Sequence, residues 1–176
     1  MKFYIQANNP KVLKEYNAED ESIADAMETI FPLYTESATL MWNHISIPLS
    51  YKYDISYMLD DVLELLESFM QAKNGKRIIH WLPDTFRSDW EIVWEDGQME
   101  INSYWESVAG SLENLLNANA RINLKITEFM AEWKQIFHIV LCALKENGYT
   151  ERKIFSMEKL EKQYEAITKS GLLYQG

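Results

Sequence analysis

The sequence predicts an α+β fold: an antiparallel sheet containing a tryptophan-rich hairpin at about 89–105, packed with about four helices. Three observations carry this. DWEIVWEDGQMEINSYW (Asp89–Trp105) alternates apolar and polar residues on both sides of Asp96-Gly97, the strongest short hairpin signal. Two segments, Tyr53–Gly75 and Thr127–Gly148, instead repeat apolar residues at helical spacing. The chain of 176 residues is 47% apolar and 13% aromatic, enough for a sizeable ring-rich core in one domain, 1–176.

Taken in order, KFYIQ (Lys2–Gln6) reads as a first strand. NAEDESIADAMETIF reads as a helix with Asn17 as its cap and Asp20 and Glu21 in its positive first turn; Ile23, Met27, Ile30 and Phe31 share one face. ATLMWNHISIPLSYKY looks extended, with Met41, Ile45, Ile47, Leu49 and Tyr51 on one side and Pro48 marking an edge or a strand end. The helix that follows has Asp54 as N-cap, Ile55, Met58, Leu59, Val62, Leu65, Leu66 and Phe69 inward, and Asn74-Gly75 as its stop. RIIHWL (Arg77–Leu82), apolar on both sides, reads as an inner strand.

A two-residue turn at Asp96-Gly97 pairs Trp94 with Met99, Ile92 with Ile101 and Trp90 with Ser103, all on one face that Trp105 continues. Glu91, Val93, Glu95, Gln98, Glu100, Asn102 and Tyr104 fall on the other face. Ser111–Ala120 is a short helix and RINLKI a further strand. The long helix after it turns Phe129, Trp133, Ile136, Phe137, Val140, Leu141 and Leu144 inward and ends at Asn147-Gly148. A last helix, about Ser156 to Lys169, turns Met157, Leu160, Tyr164 and Ile167 inward.

The net charge is −10, and residues 54–106 hold most of it, with 12 acids against 4 bases. Such a field repels nucleic acid and anionic membranes and attracts basic proteins, which argues against direct nucleic-acid binding. The one cysteine, Cys142, allows no internal disulfide and points to a reducing compartment. MKFYIQANNPKVLKEY has no apolar run followed by small residues, and the longest apolar run, about Ile136 to Leu144, is far short of a membrane span. The expected location is the cytoplasm, with no membrane partner.

No glycine-rich phosphate loop, GxSxG elbow or HExxH motif occurs. No cofactor, metal or catalytic set is expected. His44 and His80 would form a metal or acid–base pair if they sat on neighbouring strands; an isolated surface or core histidine is the simpler reading. Cys142 lies one turn from His138, but a buried structural thiol accounts for it. The tryptophans, at alternating strand positions, read as core. The acids are more informative as surfaces. Asp60, Asp61, Glu64 and Glu67 crowd one side of a helix with no Lys or Arg between Asp54 and Ala72, and Glu91, Glu95 and Glu100 share the outward face of the hairpin. Either set is a solvated face or a preformed surface for a basic partner.

A small acidic α+β chain without catalytic motifs, carrying DWEIVWEDGQMEINSYW and FMAEWKQIFHIVLCALKENGY, resembles the bacterial immunity proteins of polymorphic and contact-dependent toxin systems. The likeness is one of general style over most of the chain. It implies one-to-one binding of a cognate toxin domain, often a nuclease whose active site is basic because it holds phosphates. The residues expected to bind it are Glu91, Glu95, Glu100, Asp60, Asp61 and Glu64, with Tyr104 as an aromatic anchor. Two alternatives stand beside this: a small enzyme with a pocket near His44 and His80, and a mobile-element accessory protein that binds a host factor.

Overall fold

Among the described residues, seven strands form two antiparallel sheets. Strands β1 (Phe3–Gln6), β2 (Ala38–Trp42) and β3 (Ile45–Leu49) lie in the order β1-β2-β3. Strands β4 (Asn74–Trp81), β5 (Phe86–Glu95), β6 (Gln98–Val108) and β7 (Arg121–Lys125) lie in chain order. The helices are α1 (Ile23–Ile30), α2 (Ser56–Gln71), α3 (Glu113–Asn117), α4 (Ile126–Glu146) and α5 (Ser156–Leu172). This computed structural model describes residues 2–172, with side chains described as far as Thr168. The α+β class holds, with two sheets where one was expected and five helices where about four were.

The β5–β6 hairpin has the expected register: Trp94 opposite Met99, Ile92 opposite Ile101 and Trp90 opposite Ser103. Asp96 and Gly97 both take positive φ (46° and 81°), the geometry that lets a two-residue turn follow strand twist. A bulge at Arg87/Ser88 shifts the register, and pairing continues beyond it to Phe86 and Val108. The inward tryptophans join the two sheets. Trp42 of β2 lies 5.0 Å from Trp90 and 5.3 Å from Trp105, ring centre to ring centre, and Trp81 lies 5.5 Å from Trp90. Phe3 bridges this group to Phe129 of α4 at 5.2 Å. All of these rings belong to one buried cluster that α1, α2, α4 and α5 complete.

Five local expectations are corrected. The stretch around Asn43 is a hairpin, not one strand. Asn43 and His44 form its turn with φ of 46° and 69°, so Leu40 and Trp42 point inward and Met41 falls on the opposite face. Asparagine tolerates that conformation, and nothing at His44 advertises it. Helix α1 starts later: Ser22 is its N-cap, in a capping box with Asp25. Asn17 instead accepts from the Glu19 N–H, and Asp20 is buried, accepting from Thr29 Oγ1 and from the Tyr149 hydroxyl. Helix α2 is preceded by a π-turn, Tyr51–Ile55, capped by Ser50. Asp54 sits inside that turn and accepts from the Ser50 N–H and the Thr85 hydroxyl.

The fourth correction concerns Asn74 and Gly75, which begin β4 rather than ending a helix. Gly75 is required there, because a Cβ would press into the six-membered ring of Trp94. Strand β4 is also not an inner strand but the edge of its sheet, with Ile78 51% exposed and Leu82, just past the strand, 70% exposed. Pro48 does lie on an edge strand, β3, as expected.

Candidate functional site

Residue alternation gives the four-stranded sheet an inner face in the core and an outer face open to solvent. The cross-strand rows of the outer face follow from the register. Asn74, Glu95, Gln98 and Lys125 form one row, and Lys76, Val93, Glu100 and Asn123 the next. Ile78, Glu91, Asn102 and Arg121 form a third, and His80, Asp89 and Tyr104 the last. Glu91, Glu95, Glu100 and Tyr104 are therefore brought onto one surface, and Tyr104 is 60% exposed.

The same surface supplies cations that the local sequence of the hairpin does not contain. Lys76 Nζ lies 2.8 Å from Glu91, and Arg121 Nε lies 3.7 Å from Glu100 while donating to Asn102 Oδ1. His80 Nδ1 is 2.5 Å from Asp89 Oδ1. Among the described residues Glu95 has no salt bridge. With Asp89, Glu91, Glu95 and Glu100 set against Lys76, Arg121 and Lys125, the sheet face is mixed and only weakly acidic. The hairpin acids expected on this face are there, but they share it with cations from β4 and β7. Lys76 lies outside the strand expected from the sequence, Arg77–Leu82, and joins this face because β4 begins at Asn74; Arg121 becomes a neighbour only because β7 pairs with β6.

The exposed strip of α2 is the more acidic region. Asp60, Asp61, Glu64 and Glu67 are all at least partly exposed there. Glu64 is ion-paired with Arg77 of β4, and Glu67 lies 3.1 Å from Lys159 of α5. Partial burial pushes the Asp60 and Asp61 carboxyls above the usual carboxylate range. Glu64 adds to the rise at both, while Lys159 opposes it at Asp60 and Arg77 at Asp61. Asp61 also feels His80, which is itself bonded to Asp89. The two acidic sets thus meet at β4, with α2 on one side of the strand and the outer sheet face on the other.

The two histidines are not brought together. His44 turns between β2 and β3 beside Arg121 at the β7 margin, whereas His80 is on β4. Three strand spacings, about 14 Å, separate β4 from β7. Cys142 is half-buried rather than buried, its Sγ 3.8 Å from the His138 ring, which stacks on Tyr164. Among the described residues no group of three His, Cys, Asp or Glu side chains could hold a metal, and no helix is long and apolar enough to cross a membrane. No family model matches the chain, and neither a curated protein nor a solved structure matches it.

Proposed function

We propose that this chain is a cytoplasmic immunity or inhibitor protein that binds a basic toxin domain, a nuclease being the target that an acidic inhibitor suits best. The observation that carries the reading is the continuity of the acids around β4: Asp61 and Glu64 on one side, Asp89 and Glu91 on the other, in a chain of net charge −10. Charges placed on rigid strands and a helix steer a partner of opposite sign at little ordering cost. The binding residues are Asp60, Asp61, Glu64, Glu91, Glu95 and Glu100, with Tyr104 as the aromatic anchor.

A tagged pull-down from the source organism's lysate, run at low and high salt, tests this. A stoichiometric basic partner released by salt is expected; its absence at both salts overturns the reading. Once the partner is in hand, lysine at Glu91, Glu95 and Glu100 is expected to slow association about tenfold or more while leaving the fold intact.

A second reading has one observation behind it. The His80–Asp89 pair orients an imidazole on the outer sheet face, as a general base is oriented. It predicts a turnover that His80→Ala abolishes without loss of any protein partner, and a hydrolase screen checks it.

A further inference from the structure

The four sheet edges are not treated alike. The β3 edge contains Pro48, which has no N–H to offer. The β1 edge is closed by α4, whose Glu132 carboxylate accepts from the Ile5 N–H at 2.9 Å. Strand β7 is five residues long, gives its Arg121 carbonyl to Asn43 Nδ2 at 3.0 Å, and runs directly into α4. Strand β4 has none of these devices. It keeps an unbroken register with β5 over eight residues, without proline or bulge. Among the described residues, no side chain, loop or helix hydrogen-bonds to its outward backbone. A long edge of this kind is a template for another strand.

The surroundings of β4 select what that strand carries. Four carboxylates act on its side chains: Glu64 and Asp61 on Arg77, Glu91 on Lys76, and Asp89 on His80. Two permanent cations, Lys76 and Arg77, oppose four acids, so the edge is electronegative. On the α2 side an added strand meets Asp61 and Glu64; on the outer side it meets Ile78, which is 51% exposed. A second copy of this chain is a poor occupant. Self-pairing through β4 would set the same electronegative edge against itself, within two bodies of net charge −10.

We propose that β4 receives an extended segment of the basic partner as a fifth strand, with Lys or Arg at alternate positions over Asp61 and Glu64 and apolar residues beside Ile78. This rests on the binding reading above and adds the mode of binding, backbone pairing rather than charge contact alone.

The test uses a peptide of about ten residues alternating lysine with valine, and two versions of it, one N-methylated at every lysine and one at every valine. In an extended chain the N–H groups of alternate residues point to the same edge, so each version blanks one edge while keeping every charge. The expected result is binding of the parent peptide at low salt, slowed exchange of alternate β4 amides, and loss of about tenfold or more in affinity for one methylated version only. Lysine at Asp61 and Glu64 is expected to weaken the parent peptide by a similar factor, with an unchanged amide spectrum elsewhere as the control for folding. Equal binding of both methylated versions overturns strand addition and leaves the charge-based reading intact. No binding of the parent peptide, or β4 amides already protected in a self-associated free protein, also overturns strand addition; the toxin reading is then judged on the pull-down alone.

Discussion

On the inner face of the β5–β6 hairpin, Trp90, Ile92, Trp94, Met99, Ile101 and Trp105 are all buried; on its outer face, Glu91, Val93, Glu95, Gln98, Glu100, Asn102 and Tyr104 stay at least partly in solvent. The same backbone and the same turn carry both. The inner side chains have their neighbours dictated by shape, since Trp90 touches rings from both sheets. The outer side chains have neighbours dictated by charge, and those ion pairs are exposed enough to be individually weak. One face therefore sets whether the chain folds, while the other is free to set what it binds.

The sharpest way to break this contrast is Trp90→Ala, which removes the ring at the junction of the sheets. A loss of about 3–5 kcal/mol is expected in denaturant unfolding. A loss under about 1 kcal/mol would mean that the two sheets are held by the helices rather than by the tryptophans.

A pH series sharpens it at intermediate scale. Burial raises the carboxyls of Asp54, Asp60, Asp61 and Glu132. The folded chain therefore binds protons more readily there than the unfolded chain, and stability falls as pH rises from the ordinary carboxylate range through the raised values. Asp25, Glu113 and Glu161 are shifted the other way, each by its hydrogen bonds, so their contribution disappears as pH drops below the ordinary range. Thermal unfolding is expected to peak on the acid side of neutrality, and Asp61→Asn to reduce the fall in stability above the ordinary carboxylate range. An Asp61→Asn profile that falls as steeply as that of the wild type would show that burial does not raise the Asp61 carboxyl.

The smallest effect belongs to the outer face. Glu91→Gln together with Glu100→Gln removes two exposed ion pairs, and a change within about 1 kcal/mol is expected by the same unfolding measurement. A larger loss would make the outer face structural and weaken its assignment as a binding surface.

Much of this was legible in the sequence. The Asp96-Gly97 turn, the register from Trp94/Met99 to Trp90/Ser103, and the inward faces of α1, α2 and α4 all follow from local periodicity, because turn type and burial pattern demanded the same arrangement. The Asn43-His44 turn was not legible, since two residues adopt positive φ without a glycine to announce it. The π-turn before α2 was hidden in the same way: Asp54 looks like a cap from its neighbours alone and is instead committed to Ser50 and to the distant Thr85.

The candidate site divides along the same line. Which residues are acidic, and which of them share the outward face of a helix or hairpin, is determined by the sequence through periods of 3.6 and 2. How acidic that surface is was decided by tertiary structure, because Lys76, Arg77, Arg121 and Lys159 arrive from other elements to meet Glu91, Glu64, Glu100 and Glu67. The exposure of β4 was decided there too. Pro48 marked β3 as an edge in advance, but no residue of β4 did so, and β4 is an edge because no further strand lies beside it.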